Sequence, residues 1–418
     1  MKLQIPPALR HRNFRLLWIG LLISIMGSQM QFWALLWHIR ELVGEELAPS
    51  ALGGIGAARL IPLMMFSLIG GVVADTLDRR KVMFVTQSVM LLAALTLGWL
   101  TLSGQIVLWH IYVLTALQTV AASFDLPARQ SLVPNLVPKK DLSNALSMMS
   151  TAFHTGAIVG PAVTGIVIAT AGLQVVYFAN AVSFLAVLGA LLLMRGVQQV
   201  KAAPLQRGGG LQSIREGISF LKTKPIIFSS MLLDFFATFF SSANALMPIF
   251  AKDILHVGEV GFGWLSSAQA IGSTVAALVL TQVRELRRQG PILLSAVVVF
   301  GAATIVFGMT GWFALAMAAL IVIGAADTVS AIIRSTARQL HTPDELRGRM
   351  VSINQMFFIG GPQLGEIEAG AVAQFFGAPF AVISGGVACI LSVWWVARRW
   401  PELANYDREP LPEGAAAD

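Results

Sequence analysis

The chain has 418 residues, of which 56% are hydrophobic and only 12% charged, with a formal net charge of +7. Soluble domains carry about a quarter charged residues, so this composition excludes an ordinary water-soluble enzyme and points to a bilayer. The single cysteine, Cys389, excludes an internal disulfide and any multi-cysteine metal site.

Twelve apolar runs are long enough to cross a hydrocarbon core of ~30 Å, which takes about 20 helical residues. They cover residues 14–39, 50–74, 82–103, 106–126, 144–170, 174–195, 226–251, 261–283, 291–310, 313–335, 349–374 and 378–398, and are called spans 1 to 12 below. No small-residue cleavage site follows span 1, which reads as a retained helix rather than a signal peptide. The polar stretch 196–225 separates spans 6 and 7 and contains Pro204 and Gly208-Gly209-Gly210. Its Leu211 to Leu221 segment has the amphipathic pattern of a short helix on the membrane surface. The expected fold is therefore all-α, with twelve transmembrane helices in two six-helix bundles. Residues 1–195 form the first bundle, 196–225 a cytoplasmic linker, 226–398 the second bundle and 399–418 a cytoplasmic tail.

Lysine and arginine set the orientation. All but Arg40, Arg59 and Lys252 fall in the N-terminal segment, the loops after spans 2, 4, 8 and 10, the linker region or the tail. The positive-inside rule then puts both termini in the cytoplasm of a multi-pass protein, as in a bacterial cytoplasmic membrane. Because the basic residues are spread over every inner loop and form no groove, nucleic acid is excluded as a partner. The lipid bilayer is the expected partner, and no obligatory protein partner is evident.

The two halves repeat. Gly71-Val72-Val73-Ala74-Asp75-Thr76-Leu77-Asp78-Arg79-Arg80-Lys81 follows span 2, and Arg284-Glu285-Leu286-Arg287-Arg288 follows span 8, half a chain length later. Ala128-Arg129-Gln130 recurs at the same separation as Ala337-Arg338-Gln339, and Gly160-Pro161 matches Gly361-Pro362. A parallel repeat of two bundles is the plan of a secondary transporter with its substrate site near the membrane midplane.

These residues resemble the major facilitator superfamily over essentially the whole chain. Gly71, Asp75, Arg79 and Arg80 match its motif between spans 2 and 3, although Thr76 stands where the family has arginine and Asp78 where it has glycine. The Asp-Arg-Arg form, with the stretch from Phe124-Asp125 through Arg129-Gln130 to Pro138, is similar to the bacterial efflux branch that includes the enterobactin exporter. Gly156, Gly160, Pro161 and Gly165 resemble the span 5 motif of antiporters, which implies export. The resemblance implies a conformational latch of Gly71, Asp75, Arg79, Arg80, Asp125 and Arg129, in which the acid caps a helix of the opposite half. A carboxylate at a helix N-terminus is worth ~0.3–1 kcal/mol, which suits a reversible latch. Basic loops also stay inside on charge alone, so a purely topogenic role remains open. The span 5 glycines are expected to make a close contact with span 8, at Gly272 and Ser273, or else ordinary helix packing.

Charges within the spans need a reason, because each costs ~2.5–3.5 kcal/mol at the helix centre. Asp234 on span 7 and Asp327 on span 10 lie at about the same depth. In the family, spans 1, 4, 7 and 10 surround the cavity, where two such carboxylates could share a proton. Arg334, two turns after Asp327, competes as an ion-pair partner, and an inert pair is the alternative. His154 on span 5 is a further proton-relay candidate. Arg59 on span 2 and Glu366 on span 11 are matched in depth, as an outer gate, a substrate contact or a static ion pair. Gln29, Gln31 and Asn244 join them as candidates for lining an amphiphile-binding cavity.

No ATP-binding loop or zinc-protease motif occurs, and Gly53-Gly54-Ile55-Gly56 opens a helix without a preceding strand. The sequence thus reads as a non-enzymatic, cofactor-free and metal-free transporter driven by an ion gradient. The expected activity is proton-coupled antiport exporting a small amphiphile, a drug-like compound or siderophore, by alternating access. An importer or symporter of the same fold, or a non-transporting scaffold or sensor, are the alternatives.

Overall fold

The computed structural model describes residues 6–196, 219–221, 223–241, 244–283 and 287–407. Among them every regular element is helical. Most of the linker, with its expected surface helix, and the end of the tail lie outside the described residues.

Spans 1 and 2 form one helical stretch, Arg12–Thr76, of 65 residues. Unbroken, it would be about 98 Å long at ~1.5 Å per residue, more than three times the ~30 Å hydrocarbon core. It turns at Gly44, whose φ of 73° and ψ of −173° suit a residue without a Cβ. Spans 3 to 6 are Arg79–Leu102, Leu108–Leu132, Leu142–Ala171 and Leu173–Leu193. Span 7 begins as Pro225–Phe240. It then departs from the continuous helix expected to residue 251 and winds through Asn244–Leu246, Met247–Ile249 and a π turn at Phe250–Ile254. Pro248 lacks the donor that a regular turn needs for the carbonyl of residue 244. Spans 8 to 12 are Gly258–Gln282, Gln289–Met309, Phe313–His341, Asp344–Phe376 and Ala378–Arg399.

Ten helical stretches among the described residues are long and apolar enough to cross a membrane, and the first, Arg12–Ser67, contains span 1 and most of span 2. Span 11 is more polar because it carries Glu366 and Glu368, but its 33 residues also suffice for a crossing. The chain is an all-α membrane protein with twelve spans. Large apolar side chains such as Trp99, Val182, Leu192 and Met309 are exposed along them, as a lipid-facing surface requires.

The chain divides into two compact units. The first joins Met1–Arg207 to Ala243–Ala270 and Glu366–Ala378, so parts of spans 7, 8 and 11 pack with the first six spans. Its core includes Phe14, Leu17, Leu21, Met83, Leu132, Val187 and Leu191. The second unit comprises Gly208–Ser242, Ile271–Gly365 and Pro379–Asp418, with Leu233, Leu293, Val297, Ile333, Cys389 and Val396 in its core.

Asp78, the departure from the family glycine, has a local role. It is the N-cap of span 3, and its carboxylate accepts from the backbone N–H groups of Arg80 at 2.9 Å and Lys81 at 3.2 Å. Asp78→Ala is expected to cost ~0.5–2 kcal/mol and lower the melting temperature, whereas Asp78→Ser should retain most of it. A thermal melt of the two purified variants checks this.

Candidate functional site

Three groups of side chains stand out, each within one unit. In the second unit, Arg334 stands between the two intramembrane aspartates. Its Nη2 lies 2.7 Å from Asp234 Oδ1 and 3.7 Å from Asp327 Oδ1. Its Nη1 donates to Ser330 Oγ, one turn earlier on span 10. The Arg334 and Asp234 side chains are 8% and 9% exposed, and that of Asp327 is 47% exposed. One turn further along span 10, Arg338 donates to Asn354 Oδ1 of span 11. Asp327 and Arg334 share a helix face because they are two turns apart, and span 7 brings Asp234 to that face. A guanidinium stays protonated at any physiological pH. With both carboxylates ionised the trio carries one net negative charge, and one bound proton neutralises it.

In the first unit, Arg59 Nη1 lies 3.7 Å from Glu366 Oε1, and the Arg59 guanidinium sits 4.6 Å from the centre of the Phe32 ring. Glu366 is 4% exposed, and its Oε2 has no hydrogen-bond partner among the described residues.

The third group is built on the last turns of span 1, before Gly44. Arg40 holds Asp253 with two hydrogen bonds, Nε to Oδ2 at 2.8 Å and Nη2 to Oδ1 at 2.7 Å. Beside this fork, Lys252 Nζ lies 3.5 Å from Glu41 Oε1 and 5.4 Å from the centre of the Trp37 ring. Trp37 Nε1 donates to Glu41 Oε1 at 3.1 Å, and its ring packs 5.0 Å from that of Phe262. Two glycine contacts lie in the same unit. Spans 2 and 11 meet at Gly53 and Gly370, where a Cβ on Gly370 would stand 2.6 Å from Gly53 Cα and 2.7 Å from the Pro49 carbonyl oxygen. Spans 5 and 8 meet at Gly165 and Gly263, where a Cβ on Gly263 would stand 2.7 Å from the Pro161 carbonyl oxygen. Next to them, Gln374 Nε2 donates to the Glu46 carbonyl at 2.8 Å and Ser267 Oγ to the Ile158 carbonyl at 2.8 Å.

The span 5 motif therefore does meet span 8, but through Gly263 rather than the expected Gly272 and Ser273. Those two residues turn to span 10: Gly272 lies against the Ile321 carbonyl, and Ser273 Oγ donates to the Gly324 carbonyl at 3.0 Å. Gly156 and Gly160 pack on span 1, at Ile25 and Gln29.

The remaining candidates are dispersed. Gln31 is 3% exposed within the first bundle, where it donates to Gln118 Oε1 at 2.6 Å and accepts from Asn180 Nδ2 at 2.7 Å. Gln29 is half-buried beside Gly160. Asn244 opens a short 3-10 turn, and His154 is exposed next to Phe153. At the latch, the Asp75 side chain lies outside the described residues, and a Cβ on Gly71 would meet no atom within 4 Å among the described residues. Arg79 donates to the Ser131 carbonyl at 3.1 Å and Arg80 to the Leu191 carbonyl at 2.5 Å. Asp125, 3% exposed, accepts from Thr86 Oγ1 at 3.0 Å and Gln87 Nε2 at 2.9 Å, and lies 3.9 Å from Arg129 Nε.

Sequence reasoning passed over the Arg40–Asp253 fork. Its signal was present: Arg40 and Lys252 are two of the three basic residues outside the positive-inside pattern. Removing one partner of a buried, doubly bonded pair strands the other charge. Arg40→Ala is expected to cost ~2–5 kcal/mol, against ~0–1 kcal/mol for Lys252→Ala at the exposed pair. Melting of both variants and of the Arg40→Asp/Asp253→Arg exchange checks this, and the exchange should recover part of the loss.

A family model described as transmembrane secretion effector matches residues 5–413. The multidrug efflux pump Tap of Mycolicibacterium fortuitum is 27% identical, over 86% of this chain and 89% of its own. The enterobactin exporter EntS of Citrobacter koseri is 25% identical, over 86% and 85%. In three dimensions the fold matches a bacterial homologue of the human lysosomal transporter Spinster, solved in an inward-facing, unoccupied conformation. That match has a TM-score of 0.72 at 14% identity, over 98% of this chain and 100% of the other. The chain belongs to the transmembrane secretion effector family and is a multi-pass major facilitator superfamily transporter with efflux-type relatives.

Proposed function

We propose that this protein is a proton-coupled antiporter that exports a small amphiphile by alternating access, with both termini in the cytoplasm. The observation that carries the coupling is Arg334 between Asp234 and Asp327, one of them buried and the other half-exposed. A charge triad within a membrane span is costly and marks ion pathways. A proton arriving at the exposed Asp327 competes with Arg334 for the carboxylate and neutralises the trio. The guanidinium then bonds Asp234 alone, and the contact between spans 7 and 10 tightens. Substrate binding on the cytoplasmic side favours proton release, and the two cargoes alternate. The export direction is supported by the span 5 glycine motif and by the names of Tap and EntS, which also supply the two substrate classes: drug-like compounds and siderophores.

The energetics are sufficient. Moving one charge through 100 mV is worth about 2.3 kcal/mol, so at ~150 mV one proton sustains a neutral-solute gradient of about 300-fold.

The test is proton flux in acidified inside-out vesicles containing the protein, with lipophilic cations, neutral antibiotics and catecholate siderophores added in turn. A substrate should collapse the pH gradient with the wild type and leave it unchanged with Asp234→Asn/Asp327→Asn. A wild-type response from the double variant would remove these residues from the coupling. Substrate movement driven only by sodium would remove the proton.

A further inference from the structure

Spans 9 and 10 leave a trough along one side of the second unit. A cavity of about 550 Å³ runs from Arg287, Arg288 and Pro291 past Ile292, Ser295 and Ala296 to Val299, facing Val322, Ala325, Ala326 and Val329. A second cavity of about 340 Å³ shares Val299 and Val322 and continues towards Val306 and Leu315. Away from the arginines the lining is mainly alanine and valine. Their short side chains cannot fill the space between the two helices, and Val299, Val306, Val322 and Leu315 are exposed. The only cationic side chains of the lining among the described residues stand together at one end of the trough, and both are exposed.

The first cavity is about as deep as one leaflet. From Arg288 to Val299 it is about 16 Å long at ~1.5 Å per residue, close to the ~15 Å of one leaflet of a ~30 Å core, and the second cavity continues beyond it. The mouth is held in place. Arg288 has a left-handed backbone, with φ of 54°, and its N–H donates to Asp407 Oδ1 at 2.7 Å, while the Gly290 N–H donates to the Tyr406 carbonyl at 2.8 Å. A groove with an apolar floor at least one leaflet deep and guanidinium groups at its interfacial end is complementary to an acyl chain joined to a phosphate.

We propose that this trough is a binding site for an anionic phospholipid of the leaflet that contains Arg287 and Arg288, with an acyl chain between spans 9 and 10 and the phosphate at the two arginines. Ala325, Ala326 and Val329 of the lining bracket Asp327 along span 10. The lipid therefore presses on the helix that carries Asp327 and Arg334. That consequence rests on the coupling reading above, but the binding does not, so the experiment measures binding alone.

The full chain is reconstituted in vesicles of equal phosphatidylglycerol and phosphatidylcholine, gently extracted, and its retained lipids are counted by native mass spectrometry. The wild type should retain phosphatidylglycerol in preference. Arg287→Gln and Arg288→Gln should each lower that preference about fivefold, the equivalent of ~1 kcal/mol per interfacial arginine. Val299→Trp, which fills the trough and leaves the charges in place, should reduce the retained phosphatidylglycerol as well. Melting curves of the three variants confirm that each is folded. No preference in the wild type, or an unchanged preference in both arginine variants, would overturn the proposal. So would full retention by Val299→Trp, or a dimer whose separation is needed before lipid binds, which would make a second copy the occupant.

Discussion

Arg334→Gln is expected to be the most damaging single substitution in the second unit, lowering stability by ~3–5 kcal/mol. The guanidinium is the charge partner that the structure gives to the buried Asp234, at 2.7 Å, and it also faces Asp327 at 3.7 Å. Glutamine is two atoms shorter and brings no positive charge. The two carboxylates would then repel each other with little solvent to screen Asp234. The informative variant is the double one. If the damage comes from the stranded charge, Arg334→Gln/Asp234→Asn should recover most of the stability while remaining unable to couple. Melting temperatures of the two single variants and the double variant close a mutant cycle, and a coupling energy of ~2 kcal/mol or more is expected. Additive losses would mean that Arg334 supports the fold by some route other than its charge. A double variant that is stable and still pumps uphill would separate the pair from transport altogether.

The spans were legible because the requirement that sets them is local: a helix crossing lipid must be apolar over about 20 residues, whatever surrounds it. The same cost made the sparse charges visible, and Asp234, Asp327, Arg334, Arg59 and Glu366 stand out against their neighbours for that reason. What the sequence withholds is rotation. Knowing that span 5 meets span 8 does not say which glycine faces inward, and Gly263 takes the place expected for Gly272 because the far end of span 8 turns to span 10. Gln31 illustrates the same limit. A polar residue on a cavity-forming helix need not face the cavity, and Gln118 and Asn180 satisfy it inside its own bundle. The Arg40–Asp253 fork joins residues half a chain apart, so no window of sequence contains it. The failure of both Arg40 and Lys252 to obey the charge pattern was the clue available.

Gly370→Val is expected to abolish transport while leaving a folded protein. Even the first added carbon would stand 2.6 Å from Gly53 Cα and 2.7 Å from the Pro49 carbonyl oxygen, both backbone atoms that no rotamer change can move aside. Overpacking of this kind costs ~1–3 kcal/mol, which shifts an equilibrium between two arrangements by about 5- to 150-fold. In a transporter that alternates, the cost falls only on the arrangement in which spans 2 and 11 touch, so the other gains population. A cysteine at Ala373, one turn from Gly370 on span 11 and 3% exposed, reports this directly. Its reaction with a water-soluble thiol reagent should speed up by a similar factor in the Gly370→Val background, against native Cys389, which is fully buried. Gly263→Val at the matching contact of spans 5 and 8 should do the same, because its Cβ would press on the Pro161 carbonyl oxygen at 2.7 Å. Faster labelling with lost transport in both variants would mark the two glycine pairs as the contacts that must open in each cycle. Unchanged labelling with unchanged transport would show that spans 2 and 11 remain together throughout, and the alternating reading of this end of the protein would be wrong.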